Sequence, residues 1–121
     1  WAMDVVAYLA GKYFGKTPLF PSISPKKTWE GAVAGFIVCL IAAAIFSKTA
    51  ELEIYHALAL GGLIGIFGQL SDLIESLIKR DAGAKDSSNL IPGHGGVLDR
   101  IDSFILTAPL MYYYIILFVI K

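Results

Sequence analysis

Four polar side chains lie at helical spacing inside an apolar stretch of the sequence. Asp72, Glu75, Ser76 and Lys79 occupy positions i, i+3, i+4 and i+7, so a helix would carry them on one face. Asp72 lies about seven residues, or roughly 10 Å, inside the basic end formed by Lys79 and Arg80. An acid at such a depth in a membrane is costly unless it is paired, hydrated or metal-bound. The stripe therefore predicts either a metal ligand at Asp72 or an ion pair with a neighbouring lysine.

A second group of acids, Asp99 and Asp102, opens a later apolar stretch. A helix beginning here would carry both carboxylates on one face, near the positive end of its dipole. Acids in a first helical turn are common capping residues, which is one interpretation. The other places them at the same membrane depth as Asp72, on an antiparallel neighbour. Two or three carboxylates would then form an oxygen-rich pocket, which suits Mg²⁺.

Glycines surround a histidine in the segment between these acidic groups. Gly95 and Gly96 follow His94, and Gly93 precedes it. Glycines allow positive φ angles and a close approach of the backbone to an anion, so the segment could bind phosphate. Taken alone, it is more typical of an ordinary turn with a solvated histidine.

The sequence around Ser24 predicts a helix start. Ser24 suits the N-cap and Pro25 suits the first helical position, so the second helix is expected to begin near Pro25, with Lys26 and Lys27 in its first turn. Lysines there oppose the helix dipole unless an anion binds, and free N–H groups with two ammonium groups could hold a phosphate. Contact with anionic lipid headgroups is the alternative. In the first segment, Asp4 repeats the pattern of an acid beneath a basic end.

The elements that must position these residues are apolar helices. Of 121 residues, 56% are hydrophobic and 17% charged, and the mean hydropathy is +0.67, which indicates a bilayer setting. The stretches 28–47, 54–79 and 101–120 are each long enough to cross a hydrocarbon core of about 30 Å, and residues 1–10 are expected to end a further span. Without the two-residue alternation of a barrel, the predicted fold is an all-α, polytopic transmembrane bundle with three full spans plus the end of another.

Charge limits the partners and predicts the orientation. Ten basic and ten acidic residues give zero formal net charge, so no global field favours a nucleic acid. Basic residues concentrate in 11–27 and 79–100, which the positive-inside rule places on the cytoplasmic side. Small residues spaced as Gly31 and Gly35, and as Gly61 and Gly65, predict close helix packing within the bundle. A homodimer contact is the less favoured use of that spacing.

Several runs of polar residues carry a family resemblance. They are Ser76-Leu77-Ile78-Lys79-Arg80, Lys85-Asp86 and 92–102, with further similarity in 4–16 and 23–31, and so over nearly the whole chain. In residue type and spacing they resemble the signature of the CDP-diacylglycerol synthases, or phosphatidate cytidylyltransferases. Proteins of that family carry several more N-terminal spans. Residues 1–121 are therefore interpreted as a C-terminal catalytic membrane domain that lacks further N-terminal transmembrane helices.

The resemblance implies a nucleotidyltransferase of phospholipid biosynthesis. The implied reaction transfers a cytidylyl group from CTP to phosphatidate, gives CDP-diacylglycerol and pyrophosphate, and depends on Mg²⁺, with a second metal ion as a further hypothesis. The implied location is a multi-pass integral membrane protein with its active site facing the cytoplasm. In a bacterium this membrane is the inner, or plasma, membrane.

The resemblance and the charges together assign roles to individual residues. The predicted metal ligands are Asp72, Asp99 and Asp102. The predicted catalytic residues are Asp72, Asp99, Lys79, Arg80, Arg100 and His94. The predicted substrate-binding residues are Lys26, Lys27, Ser24, Ser76, Lys85, Gly95 and Gly96.

Two other functions remain open at this stage. A CTP-dependent polyprenol or phytol kinase would share the membrane setting and the nucleotide, but its nucleophile would be an alcohol. An ion transporter would also place acids within the membrane. It would give no reason for the glycine-flanked His94.

Overall fold

The computed structural model describes residues 1–81, 83 and 98–120, except the side chains of 98–100, 102 and 103. This part of the chain is mostly helical, with one small sheet. The helices are α1 (Ala2–Phe14), α2 (Trp29–Ser47), α3 (Ile54–Asp81) and α4 (Leu98–Tyr114), which continues into a π-helical segment (Ile115–Val119). The strands are β1 (Pro18–Phe20) and β2 (Ser24–Thr28).

The two strands pair as an antiparallel hairpin between α1 and α2, so the all-α prediction is wrong in this segment. Pro18 faces Thr28 and Phe20 faces Ser24, with an irregularity between these pairs. The predicted helix start at Pro25 is wrong as well. A residue before proline is disfavoured in the helical region, so Ser24 is extended and Pro25 continues a strand.

Thr28 takes the capping role that was predicted for Ser24. Its backbone is extended, at φ −121° and ψ 155°, and its hydroxyl accepts a hydrogen bond from the Gly31 N–H at 3.2 Å. The Trp29 N–H donates to the Thr17 carbonyl at 3.0 Å and ties the helix start to the hairpin. Lys26 and Lys27 therefore lie on β2 and not in a first helical turn.

Two helices of the described part, α2 and α3, are long and apolar enough to cross a membrane. Their bounds agree closely with the predicted stretches 28–47 and 54–79. The third predicted span corresponds to a shorter apolar helix, Phe104–Val119. Large apolar side chains cover the outer surface of α2, where Val33, Ile37, Ile41 and Ile45 follow one another at four-residue spacing and are each about half exposed or more. Such a stripe is expected on a lipid-facing surface.

Each helix packs against the next along the chain, α1 on α2, α2 on α3 and α3 on α4. Glycines at the interfaces let the backbones approach closely. A Cβ at Gly31 would lie 2.4 Å from the Ala7 carbonyl oxygen, and one at Gly61 would lie 2.7 Å from Ala43 Cβ and 2.9 Å from the Cys39 carbonyl oxygen. The small-residue spacing therefore serves packing within the bundle, as predicted.

Candidate functional site

A cavity of about 660 Å³ lies where α1, the hairpin, α2 and α3 meet. Its wall combines apolar side chains with carboxylates, lysines and hydroxyls. The lining residues are Trp1, Asp4, Val5, Ala7, Tyr8, Leu19, Ser24, Lys26, Lys27, Thr28, Gly31, Ala32, Gln69, Asp72 and Leu73. Charged groups from three elements therefore face one cavity that is also bordered by apolar surface.

Lys27 and Asp72 form an ion pair across this cavity. The Lys27 ammonium contacts the Asp72 carboxylate, and the two side chains are 30% and 31% exposed. Both lysines of β2 line the cavity, but Lys27 is the one that contacts Asp72 of α3, whereas the Lys26 side chain is exposed. The strand, which the sequence did not predict, therefore decides which lysine meets Asp72. From the sequence, Asp72 was predicted to be either a metal ligand or the partner of a neighbouring lysine, and the structure shows the ion pair with lysine.

Two hydrogen bonds to the backbone, made by the Gln69 amide and the Thr28 hydroxyl, stabilise the helices around the cavity. The Gln69 side-chain amide donates to the Ala32 carbonyl at 3.0 Å and links α3 to α2. Gln69 precedes Asp72 by one helical turn, so this bond anchors the part of α3 that carries the carboxylate. Thr28 caps α2 beside the cavity, which fixes the end of β2 that presents Lys27.

Glu75 and Lys79 continue the polar stripe of α3 beyond Asp72. Glu75 is buried, at 5% exposed, and its carboxylate lies 3.3 Å from the Lys79 ammonium, whose side chain is 20% exposed. A buried acid requires such a partner, because an uncompensated charge is costly away from water. The ion pair therefore holds Lys79 against the helix surface.

The predicted site residues divide into three groups. Ser24, Lys26, Lys27 and Asp72 come together around the cavity. Ser76, Lys79 and Arg80 lie in the last turns of α3 and are not among the described residues that line it.

The third group lies wholly or partly outside the described residues. Asp99, Arg100 and Asp102 belong to the first turns of α4, but their side chains lie outside the described part of the chain. The residues that lie outside altogether are Lys85, His94, Gly95 and Gly96. The helix α4 packs on α3, but the Asp99 side chain lies outside the described part. The predicted meeting of Asp99 with Asp72 therefore stays a prediction.

The donors around the cavity are chemically suited to a hard cation. Asp4 and Asp72 supply carboxylate oxygens, and Ser24 and Thr28 supply hydroxyls. These are the oxygen ligands that Mg²⁺ prefers, usually with water and substrate phosphate completing its shell. No group of three or more acidic, His or Cys side chains with metal-binding geometry occurs within the residues described. The donor set therefore fits Mg²⁺ in kind, with one carboxylate already paired to Lys27.

Asp4 and Gln69 line the cavity although neither was assigned a role from the sequence. A signal existed for Asp4, since it lies in α1 as an acid beneath the basic residue Lys12, on the same helical face. Gln69 gave no comparable signal, because a single amide in an apolar helix is compatible with many packing arrangements.

Residues 1–118 match the sequence profile of the cytidylyltransferase family. Proteins named phosphatidate cytidylyltransferase are similar over nearly the whole chain. The one from Bacillus subtilis is 46% identical over 120 residues, which are 98% of this chain and 45% of the relative. The one from Synechocystis is 52% identical over 120 residues, 97% of this chain and 40% of the relative.

A plant protein shows the same similarity. Phosphatidate cytidylyltransferase 5, chloroplastic, from Arabidopsis thaliana is 51% identical over 117 residues, which are 94% of this chain and 29% of the relative. The chain thus spans less than half the length of each of these three relatives. The match over residues 1–118 confirms the predicted resemblance, and this chain belongs to the cytidylyltransferase family.

Proposed function

We propose that the protein containing this chain transfers a cytidylyl group from CTP to phosphatidate and releases pyrophosphate. The observation that carries the proposal is the family match over residues 1–118, together with relatives at 46% and 52% identity that bear the name of this activity. The cavity adds physical support, because it combines lysines that suit phosphate groups with an apolar wall that suits a lipid.

The reaction joins two anions. A phosphate oxygen of phosphatidate attacks the α-phosphorus of CTP, a new P–O bond forms, and the bond to the β-phosphate breaks so that pyrophosphate leaves. No general base is needed, because the phosphate monoester already presents an ionised oxygen. The barrier arises from repulsion between like charges and from the need for in-line geometry.

Positive side chains of this chain reduce that repulsion. Lys26 and Lys27 line the cavity, and in this proposal their ammonium groups contact substrate phosphate. Lys79 and Arg80, at the end of α3, carry further positive charge on the same helix as Asp72. In this proposal Arg100, Lys85 and His94, with the backbone of Gly95 and Gly96, contribute to binding phosphate and the leaving group. Ser24 and Ser76 donate hydroxyl hydrogen bonds.

Asp72 and Asp99, with Asp102 as a third ligand, are the proposed holders of Mg²⁺. When bound, the cation would neutralise charge on the nucleotide phosphates and help to orient them. A second metal ion beside it is part of the same hypothesis. Of these three ligands, Asp72 lines the cavity beside the hydroxyls of Ser24 and Thr28, and oxygen donors of this kind suit Mg²⁺.

The proposed setting is a multi-pass membrane protein whose cavity opens toward the cytoplasm, with the lipid substrate drawn from the bilayer. The two membrane-capable helices support it, as does the concentration of Lys and Arg in 11–27 and 79–100. A homodimer is a further hypothesis. The exposed apolar stripe of α2 is accounted for by lipid alone.

A direct assay tests this function. Membranes containing the whole protein are incubated with CTP labelled at the α-phosphate and with phosphatidate, with and without Mg²⁺. We expect label to enter a cytidine-containing lipid only when both phosphatidate and Mg²⁺ are present. A parallel reaction with a prenol and CTP labelled at the γ-phosphate would show a kinase if it gave a labelled prenyl monophosphate. Metal flux across sealed vesicles without CTP would show a transporter.

A further inference from the structure

Four charged side chains from three elements line the same cavity. Asp4 comes from α1, Lys26 and Lys27 from β2, and Asp72 from α3. Lys27 is in contact with Asp72. Asp4 is half-buried, and the charges of both Lys27 and Asp72 act on its carboxylate. One ammonium is therefore within electrostatic reach of two carboxylates while it contacts one of them.

This arrangement conflicts with a metal ion at Asp72. A divalent cation on that carboxylate would face the Lys27 ammonium at short range, and like charges at such a distance repel strongly near a protein surface. Lys27 must then move. Lysine carries a compact charge on a flexible four-carbon stem, so its ammonium can shift while the strand stays in place.

Asp4 is the acceptor that the cavity provides for the displaced ammonium. Its carboxylate lines another wall of the same cavity, near enough for the positive charge of Lys27 to attract it. A lysine held there would keep its charge inside the cavity, where substrate phosphate is expected, and would not turn out to solvent.

We propose that Asp4 is a positioning residue that takes over Lys27 when a divalent cation binds Asp72. The proposal rests on the proposed function, because it assumes that Asp72 is a metal ligand. Asp4 acts in it only through Lys27 and does not itself contact the metal. Binding of the metal and transfer of the lysine are thereby coupled.

The test measures metal affinity without any substrate. Mn²⁺ is titrated into the purified whole protein in detergent, and the free ion is followed by its electron paramagnetic resonance signal. We expect Asp72→Asn to abolish this site. Lys27→Met should tighten Mn²⁺ binding by at least about fivefold, because a competing cation is removed. Lys26→Met is the matched control on the same strand and should change the affinity much less, because the lysine in contact with Asp72 is Lys27.

A double-mutant cycle isolates the role of Asp4. Asp4→Asn should weaken Mn²⁺ binding by about threefold or more when Lys27 is present, and Asp4→Glu should restore it. In the Lys27→Met background, Asp4→Asn should weaken Mn²⁺ binding much less, since no ammonium remains to be accepted and only the distant charge of Asp4 is lost. Melting curves of every variant in detergent confirm that the proteins are folded.

Two results would overturn the inference. If Asp4→Asn weakens Mn²⁺ binding equally with and without Lys27, then Asp4 acts on the metal directly, as a ligand or through its charge, and not through Lys27. If it changes nothing in either background, Lys27 does not use it. Failure of the proposed function looks different, because the labelled lipid would be absent or Asp72→Asn would leave Mn²⁺ binding intact.

Discussion

The two ends of α3 make polar contacts of opposite kinds. Near its start, His56 Nδ1 lies 3.0 Å from the Tyr114 hydroxyl of α4, and the Tyr114 ring packs 5.2 Å from that of Phe118. Near its other end, Asp72 is paired with Lys27 and the buried Glu75 with Lys79.

The difference separates structural contacts from functional ones. A hydrogen bond between aromatic groups satisfies two polar atoms at little desolvation cost and joins two helices. Charges within a membrane-facing bundle cost far more to place. Replacing a buried ion pair by apolar residues is often neutral or stabilising, so stability gives little reason to keep such pairs. We therefore expect the chemistry of the proposed function at the charged end, and packing alone at the aromatic end.

The largest effect is expected at the charged end. Asp72→Asn keeps the size of the side chain but removes a proposed metal ligand, so cytidylyl transfer should fall by about a hundredfold or more, near 2.7 kcal/mol of transition-state stabilisation. Asp99→Asn should behave alike. Rates are measured with labelled CTP in detergent, beside a melting curve. A variant within about tenfold of the unmodified rate would count against the ligand assignment.

An intermediate effect is expected at the glycine interface between α2 and α3. Gly61→Ala would force a Cβ to within 2.7 Å of Ala43 Cβ, so the helices must separate at a cost of about 1–3 kcal/mol. The neighbouring Gly62→Ala is the control, because nothing lies within 4 Å of its added Cβ. Thermal unfolding in detergent should distinguish the two. Equal melting temperatures would contradict the close approach of these backbones.

The smallest effect is expected at the aromatic end. Tyr114→Phe removes the hydroxyl that meets His56 but keeps the ring, so unfolding free energy should drop by about 0.6 kcal/mol, the usual value for a hydrogen bond between membrane helices. Turnover should stay within about twofold, a difference below roughly 0.5 kcal/mol. A loss comparable with that of Asp72→Asn would mean that both ends of α3 serve the reaction.

Much of the helical framework was predictable from the sequence. Apolar stretches long enough to cross a bilayer must satisfy their backbone polar groups internally, which leaves helices at 28–47 and 54–79, close to the observed α2 and α3. The glycine pairs were predictable too, since closely packed membrane helices need small residues at the contact. The polar stripe that carries Asp72 followed from helical periodicity alone.

The hairpin and its consequences were not predictable in the same way. Ser24 and Pro25 satisfy the local rules for a helix start, and those rules take no account of pairing with β1. Once residues 24–28 pair with β1, Thr28 becomes the cap and the two lysines lie on a strand. Local preference is weak here, because a tertiary contact of a few hydrogen bonds outweighs it.

By itself, then, the sequence determined where most of α2 and α3 lies, which residues are charged within them, and the family resemblance. The tertiary structure alone decided that Lys27 and not Lys26 meets Asp72, 45 positions away, and that Asp4 joins them at one cavity. Helix position depends on hydropathy and backbone hydrogen bonding along one stretch of chain. A contact between distant residues depends on how separate elements pack, and the spacing of residues along the sequence does not specify that packing.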